Sequence, residues 1–239
     1  MTDAMNGQVV LVAGGTGGLG RAVSLAFLQQ GARVAVTWRR QEEYAALEAA
    51  AGKRASHLAG FATDVTDLEA TRRLVDQIVS EWTHLDVLVN TVGRYAGGAP
   101  LWEIEAAELD RMLDLNVKAG YALAHAVAPV MRARERGSIV NVSGKAAWDH
   151  AAGAGAYAAS KAAALALMDS LAADLQGTGV RVNSILPSII DTAANRKAMP
   201  KADFSKWPKP EAIAAVVVFL CSDAAAVVHG ASIPVFGNG

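Results

Sequence analysis

The sequence predicts an α/β fold, a single doubly wound parallel sheet of about seven strands with helices on both faces. Two observations carry this. Short runs that are apolar throughout, rather than alternating, recur along all 239 residues, and most lead into a segment with helical hydrophobic spacing. The first run, Val9–Ala13, meets its helical segment through a glycine cluster, Gly14–Gly20. A third observation bears on domain count: no linker and no internal repeat interrupts the pattern. Residues 1–239 therefore read as one domain, long enough to cover both faces of a sheet.

Taken in order, the second strand is Arg33–Trp38 and the next helix Glu42–Ala51. His57–Ala62 follows as a strand, then Leu68–Trp82 as a helix with Leu74, Val75, Ile78 and Val79 facing inward. Leu85–Asn90 is the fourth strand, and Ala106–Arg134 reads as one long helix with a bend at Pro129. Ser138–Ser143 is a strand, Ala156–Gln176 a helix and Val180–Leu186 a strand. Glu211–Cys221 and Ser232–Phe236 close the series as helix and strand. Asp191–Pro210 is the one polar, irregular insertion, expected over the carboxyl ends of the strands, where such sheets bind ligands.

Composition narrows the function classes. Twenty-two basic residues against 23 acidic ones leave a formal charge of −1, with no basic stripe, which argues against a nucleic-acid partner. One cysteine, Cys221, excludes an internal disulfide, and no Cys/His cluster has metal-ligand spacing, so no metal is expected. The start, MTDAMNGQ, has no apolar signal core and no apolar run reaches membrane-spanning length. The expectation is a cytoplasmic protein without a membrane partner.

The glycine cluster is the first candidate site. Gly14, Gly18 and Gly20 let the chain turn tightly, pack helix on strand and bring bare N–H groups to a phosphate. Such a turn opening a helix favours a dinucleotide over a ligand-free βα turn. At the end of the second strand, Trp38-Arg39-Arg40 precedes any carboxylate, the first being Glu42. An acid there would receive ribose hydroxyls, whereas an arginine accommodates a 2′-phosphate. Arg39 thus points to NADP rather than NAD.

Over essentially its whole length the chain resembles the short-chain dehydrogenase/reductase family, whose fold is a Rossmann-type sheet. Gly14/Gly18/Gly20 are similar to its T-G-x-x-x-G-x-G turn, with Ala13 for the threonine. Asp64-Val65 is similar to its adenine-contacting pair and Asn90-Thr-Val-Gly93 to its N-x-A-G segment. Asn116 stands for its helix asparagine, Tyr157-Ala-Ala-Ser-Lys161 for Y-x-x-x-K, and Pro187–Thr192 for P-G-x-x-x-T with Ser188 replacing glycine. The resemblance implies a cofactor site of Gly14, Thr16, Gly17, Gly18, Leu19, Gly20, Arg39, Asp64, Val65, Asn90, Gly93, Tyr157, Lys161, Pro187 and Thr192. It implies catalytic roles for Asn116, Ser143, Tyr157 and Lys161. It also implies that Lys161 holds the nicotinamide ribose and that Asn116 anchors a water on the proton path. A homo-oligomer through Ala106–Arg134 and Ala156–Gln176, both apolar around much of their girth, is expected.

Tyr157 and Lys161 are four apart and share a helix face. A phenol with pKa near 10 is a poor acid–base group at neutral pH, and an adjacent ammonium is expected to lower it. The serine departs from pattern. The family places a carbonyl-holding serine thirteen positions before the tyrosine, which here is Gly144. Ser143 is one place early, and adjacent strand residues face opposite ways. Either the strand end is bulged and Ser143 serves, or Ser143 is a structural serine bonding neighbouring backbone.

That departure suggests a narrower resemblance. Ser143-Gly-Lys-Ala-Ala-Trp-Asp149 resembles the G-A-K-A-A-L-D segment of the dihydropteridine reductases, which lack the serine. DTAANRKAMPKADFSKW (Asp191–Trp207) and Gly93-Arg-Tyr-Ala-Gly-Gly98 resemble two further segments of that branch. Against it stand Trp38-Arg39, where that branch keeps an aspartate, and Asn116, which it lacks. The expected activity is hydride transfer between NADP(H) and a small carbonyl or quinonoid substrate. The alternatives are a dihydropteridine reductase-like activity and a non-catalytic NADP(H)-sensing regulator.

Overall fold

The computed structural model describes residues 5–237. Seven parallel strands lie in the order β3-β2-β1-β4-β5-β6-β7. They are β1 Val9–Ala13, β2 Arg33–Trp38, β3 Leu58–Ala62, β4 Val87–Asn90, β5 Gly137–Val142, β6 Val180–Pro187 and β7 Ser232–Val235. The helices are α1 Gly18–Gln29, α2 Gln41–Ala51, α3 Leu68–Trp82, α4 Ala106–Leu113, α5 Ala119–Ala133, α6 Gly155–Asp174, α7 Ala193–Ala198 and α8 Pro210–Cys221.

Alternation along β1 builds two cores. Val9, Leu11 and Ala13 face one side with α3, α5 and α6, while Val10 and Val12 face the other with α1 and α8. Both faces are covered, which explains why the strands read as continuous apolar runs. The order reverses between β1 and β4, where Ala13 is level with Asn90. That switch point opens a crevice at the carboxyl ends of the strands, and ligands bind there in open α/β sheets.

Two segments differ from the sequence-based expectation. The long helix is interrupted not at Pro129 but by a π-helical turn, Asp114–Lys118, and α5 runs on through Pro129. Packing of α5 against α3 and the sheet outweighs the local cost of the proline. The insertion Asp191–Pro210 contains the short helix α7, started by Thr192, whose Oγ1 accepts from Asn195 N at 3.2 Å. Asp191 and Arg196 brace it with a pair of bonds at 2.5 and 2.8 Å. No helix among the described residues is long and apolar enough to cross a membrane.

Candidate active site

The glycine turn sits between β1 and α1. Gly14 has φ +73°, and its N–H donates to Thr37 Oγ1 at 2.8 Å, tying the turn to β2. A Cβ on Gly20 would fall 2.1 Å from Gly14 O, so only glycine lets α1 start this close to β1. Helix α1 has no side-chain cap and no acidic residue in its first turn. Its first N–H groups, from Gly18, Leu19 and Gly20, are therefore available to an anion, and Gly17 and Gly18 are exposed. This cradle fits the pyrophosphate of a dinucleotide.

Around it, Arg39 is exposed, with no ion pair among the described residues. Asp64 is exposed at the end of β3, and Val65 behind it is buried. Two hydrogen bonds from Thr66, backbone and hydroxyl, hold the Asp64 carboxyl below its ordinary pKa, and Arg39 adds to the effect. Pro187 ends β6, and Thr192 lies against the turn: a Cβ on Gly18 would meet Thr192 Cγ2 at 2.8 Å. Thr16 donates its hydroxyl to Glu43 Oε2 at 3.3 Å. The sequence reading missed Glu43 because nothing local to α2 marks it.

The second cluster lies across the crevice. Asn116, in the π-helical turn, accepts from Arg94 N at 2.8 Å and donates to Arg94 O at 3.0 Å and Ser160 Oγ at 2.9 Å. Ser160 Oγ in turn donates to Tyr157 O at 2.7 Å. Both amide hydrogens of Asn116 and one carbonyl lone pair are thus engaged. The residue clamps the loop after β4 to the helix that carries Tyr157. Between them Gly93 leaves room: a Cβ there would sit 2.8 Å from Asn116 Oδ1 and 3.0 Å from Lys161 Nζ.

Lys161 is 6% exposed and donates to Val142 O at 3.1 Å, with no carboxylate partner among the described residues. Burial lowers its pKa from 10.5 to about 8. Tyr157 lies beside it, the ammonium 6.0 Å from the ring centroid. Contrary to the expectation of a lowered phenol, burial and then nearby Tyr95 raise the Tyr157 pKa above its ordinary value. Desolvation is the larger cause, so the protonated form, a proton donor, is favoured. Tyr95 packs edge-on against Tyr157, with ring centroids 5.0 Å apart.

Ser143 does not join this cluster. Its N–H donates to Ile185 O at 3.0 Å, continuing the β5–β6 ladder without a bulge. Its Oγ, on a residue 1% exposed, accepts from Asn141 Nδ2 at 3.0 Å, and Asn141 Oδ1 accepts from Asn90 Nδ2 at 2.9 Å. The hydroxyl is the end of a buried polar chain, and no hydrogen bond joins it to Tyr157 among the described residues. Gly144 faces the tyrosine instead. A Cβ there would stand 3.5 Å from Tyr157 Oη, but φ +107° and ψ 156° reserve the position for glycine.

Other flanking residues are accounted for locally. Lys145 pairs with Asp149 at 3.4 Å, and Arg196 with Asp191. Trp102 is 85% exposed and caps no core. Among the described residues no group of three or more His, Cys, Asp or Glu side chains could hold a metal ion.

Comparison with known proteins agrees with this geometry. The family model for short chain dehydrogenases matches residues 8–203. The chain belongs to the short-chain dehydrogenase/reductase family. It is 35% identical to a D-threitol dehydrogenase of Mycolicibacterium smegmatis, over 98% of this chain and 93% of that protein. It is 33% identical to the NADP-dependent 3-hydroxy acid dehydrogenase YdfG of Escherichia coli, over 84% and 80%. Among solved structures, a levodione reductase superposes with a TM-score of 0.91 at 25% identity, covering 98% of both chains. As a member of this family the chain is an oxidoreductase of the class that uses NAD or NADP.

The buried ammonium has a stability consequence with a defined sign. The folded-state pKa of Lys161, about 8, lies below the ordinary 10.5, so the folded chain binds this proton less tightly than the unfolded chain does. The penalty, on the order of 3 kcal/mol, is complete below pH 8 and is relieved as pH rises from there towards the unfolded value. Lys161→Met is expected to unfold at a higher temperature than wild type at pH 7, with a gain that shrinks above pH 8, while losing turnover. A less stable variant at pH 7 would mean that the bond to Val142 outweighs the cost of burial.

Proposed function

We propose that this chain is an NADPH-preferring reductase of a small conjugated carbonyl or quinonoid acceptor, with Tyr157 as proton donor. The observation that carries this is the pairing of Gly144 with Tyr157. One hydroxyl faces the acceptor where the family pattern has two, because Ser143 is turned into the Asn141–Asn90 chain. An isolated ketone concentrates charge on one oxygen and gains from a second donor. An acceptor that spreads the incoming charge through a ring system has less need of one.

When bound, the reduced nicotinamide supplies the hydride. Gly18, Leu19 and Gly20 present N–H groups to the pyrophosphate, and Arg39 offers a fork to a 2′-phosphate. The NADP dependence named for the relative YdfG supports that choice. Lys161 holds the nicotinamide ribose, and Asn116 keeps the β4 loop and α6 in register around Gly93. Tyr157, kept protonated by burial, gives its proton to the acceptor oxygen. The Asp191–Trp207 resemblance favours a pterin-like acceptor as the second reading. Exposed Leu109 and Tyr121, on α4 and α5, support a homo-oligomer through these helices.

Three expected outcomes test this. Wild type binds NADPH more tightly than NADH, and Arg39→Ala weakens NADPH alone, by about 10-fold or more, since a charge-assisted contact contributes roughly 1.5–3 kcal/mol. Equal affinities in wild type defeat the NADP assignment.

Tyr157→Phe retains cofactor binding and loses about 10²–10⁴-fold in kcat with a panel of acceptors. Substantial turnover by that variant would place the proton source elsewhere. If wild type binds cofactor but turns over none of the panel, a sensing role replaces the enzyme.

Ser143→Ala leaves kcat within about threefold, because the hydroxyl serves the strand ends rather than the acceptor. The assay compares a simple diketone with quinonoid dihydropterin. A loss on the order of 10²-fold on the diketone, with no turnover of the pterin by wild type, returns the chain to the general ketoreductases.

A further inference from the structure

Between the glycine turn and the end of β2 the structure places a carboxylate that the strand sequence does not announce. Glu43 lies in the first turn of α2. Its Oε2 accepts the Thr16 hydroxyl at 3.3 Å, and its Oε1 pairs with the Arg40 guanidinium. Thr16 belongs to the turn whose N–H groups fit a pyrophosphate, and Arg40 is the second residue after β2. Glu43 therefore bridges the two walls between which a dinucleotide fold seats the adenosine ribose.

The charges there are not balanced symmetrically. Arg39 has no ion pair among the described residues, whereas Arg40 is held by Glu43 and approached by Glu42 at 3.8 Å. The Glu43 side chain is 30% exposed, so its charge is only partly screened by solvent. Glu42 is 74% exposed, and among the described residues no hydrogen bond or ion pair joins it to the turn.

We infer that Glu43 is a cofactor-selecting residue, which opposes the 2′-phosphate that Arg39 favours and withholds Arg40 from it. Two like charges within a few ångströms at partial exposure change affinity by about threefold to tenfold. A ribose with free hydroxyls carries no charge to repel, and its hydroxyls can donate to a carboxylate or an amide oxygen alike. Glu43 thereby limits the preference that Arg39 creates. This deepens the NADP reading above, but the repulsion is expected whichever cofactor wild type prefers.

Calorimetric titration of the full chain with NADPH and NADH, in the absence of acceptor, tests it. Glu43→Gln preserves size and can still receive the Thr16 hydroxyl. It is expected to tighten NADPH by about threefold to tenfold and to change NADH by less than about twofold, with the gain shrinking at high salt. Glu42→Gln removes the same charge without touching Thr16 and is expected to change neither by more than about twofold. Equal effects of the two variants would reduce the result to net charge and overturn the assignment. Weaker or unchanged NADPH binding by Glu43→Gln would overturn it too, making Glu43 an orienter of Arg40. If wild type favours NADH, the NADP reading fails, whereas the selectivity shift on Glu43→Gln still decides the role of Glu43.

Discussion

A buried ammonium without a carboxylate is the constraint around which the crevice is built. Among the described residues Lys161 has one acceptor, Val142 O, and its burial disfavours the charged form. The surroundings leave it little alternative. Gly93 has no side chain to displace it, the β5 end offers a carbonyl rather than an acid, and Tyr157 lies across the same helix face. A folding optimum would put an apolar residue here. Retaining the charge is intelligible only if the unmet bonding capacity of the ammonium is used by something that enters the crevice.

The same cluster explains why the helix before α5 is irregular. A regular turn at Asp114–Lys118 would carry Asn116 away from the loop it clamps. Widening the turn lets one amide hold Arg94 N, Arg94 O and Ser160 Oγ together. Gly93, next to Arg94, is thereby fixed against Lys161, and Ser160 is fixed against the Tyr157 carbonyl. Asn116 acts on the geometry of both groups at once.

Much of this was legible in the sequence because it rests on local pattern. Val9–Ala13, Arg33–Trp38 and Leu68–Trp82 have the boundaries their apolar spacing predicts, and the glycine turn declares itself. What escaped depends on one-residue differences or on tertiary proximity. Asn116 was legible as a residue, but the π turn that carries it was not: the one-residue shift in phase is invisible in a stretch that is apolar around much of its girth. Helix α7, Ala193–Ala198, has no buried face, and only the Thr192 cap marks it. Glu43 acquires its role by meeting Thr16, twenty-seven positions away, and no periodicity reports such a meeting.

The position of Ser143 shows how a single step in register changes chemistry. Strand parity decides the face on which a hydroxyl emerges, and the ladder bond from Ser143 N to Ile185 O keeps that parity fixed. The residue that could reach Tyr157 is the next one, where the chain leaves the strand with φ +107°. A serine at 144 would need the backbone to move out of a glycine-only region, and that backbone leads directly into the turn Lys145–Ala147 beneath α6. The missing donor is therefore a property of the loop's path, and restoring it requires reshaping the connection between β5 and α6 rather than exchanging one side chain.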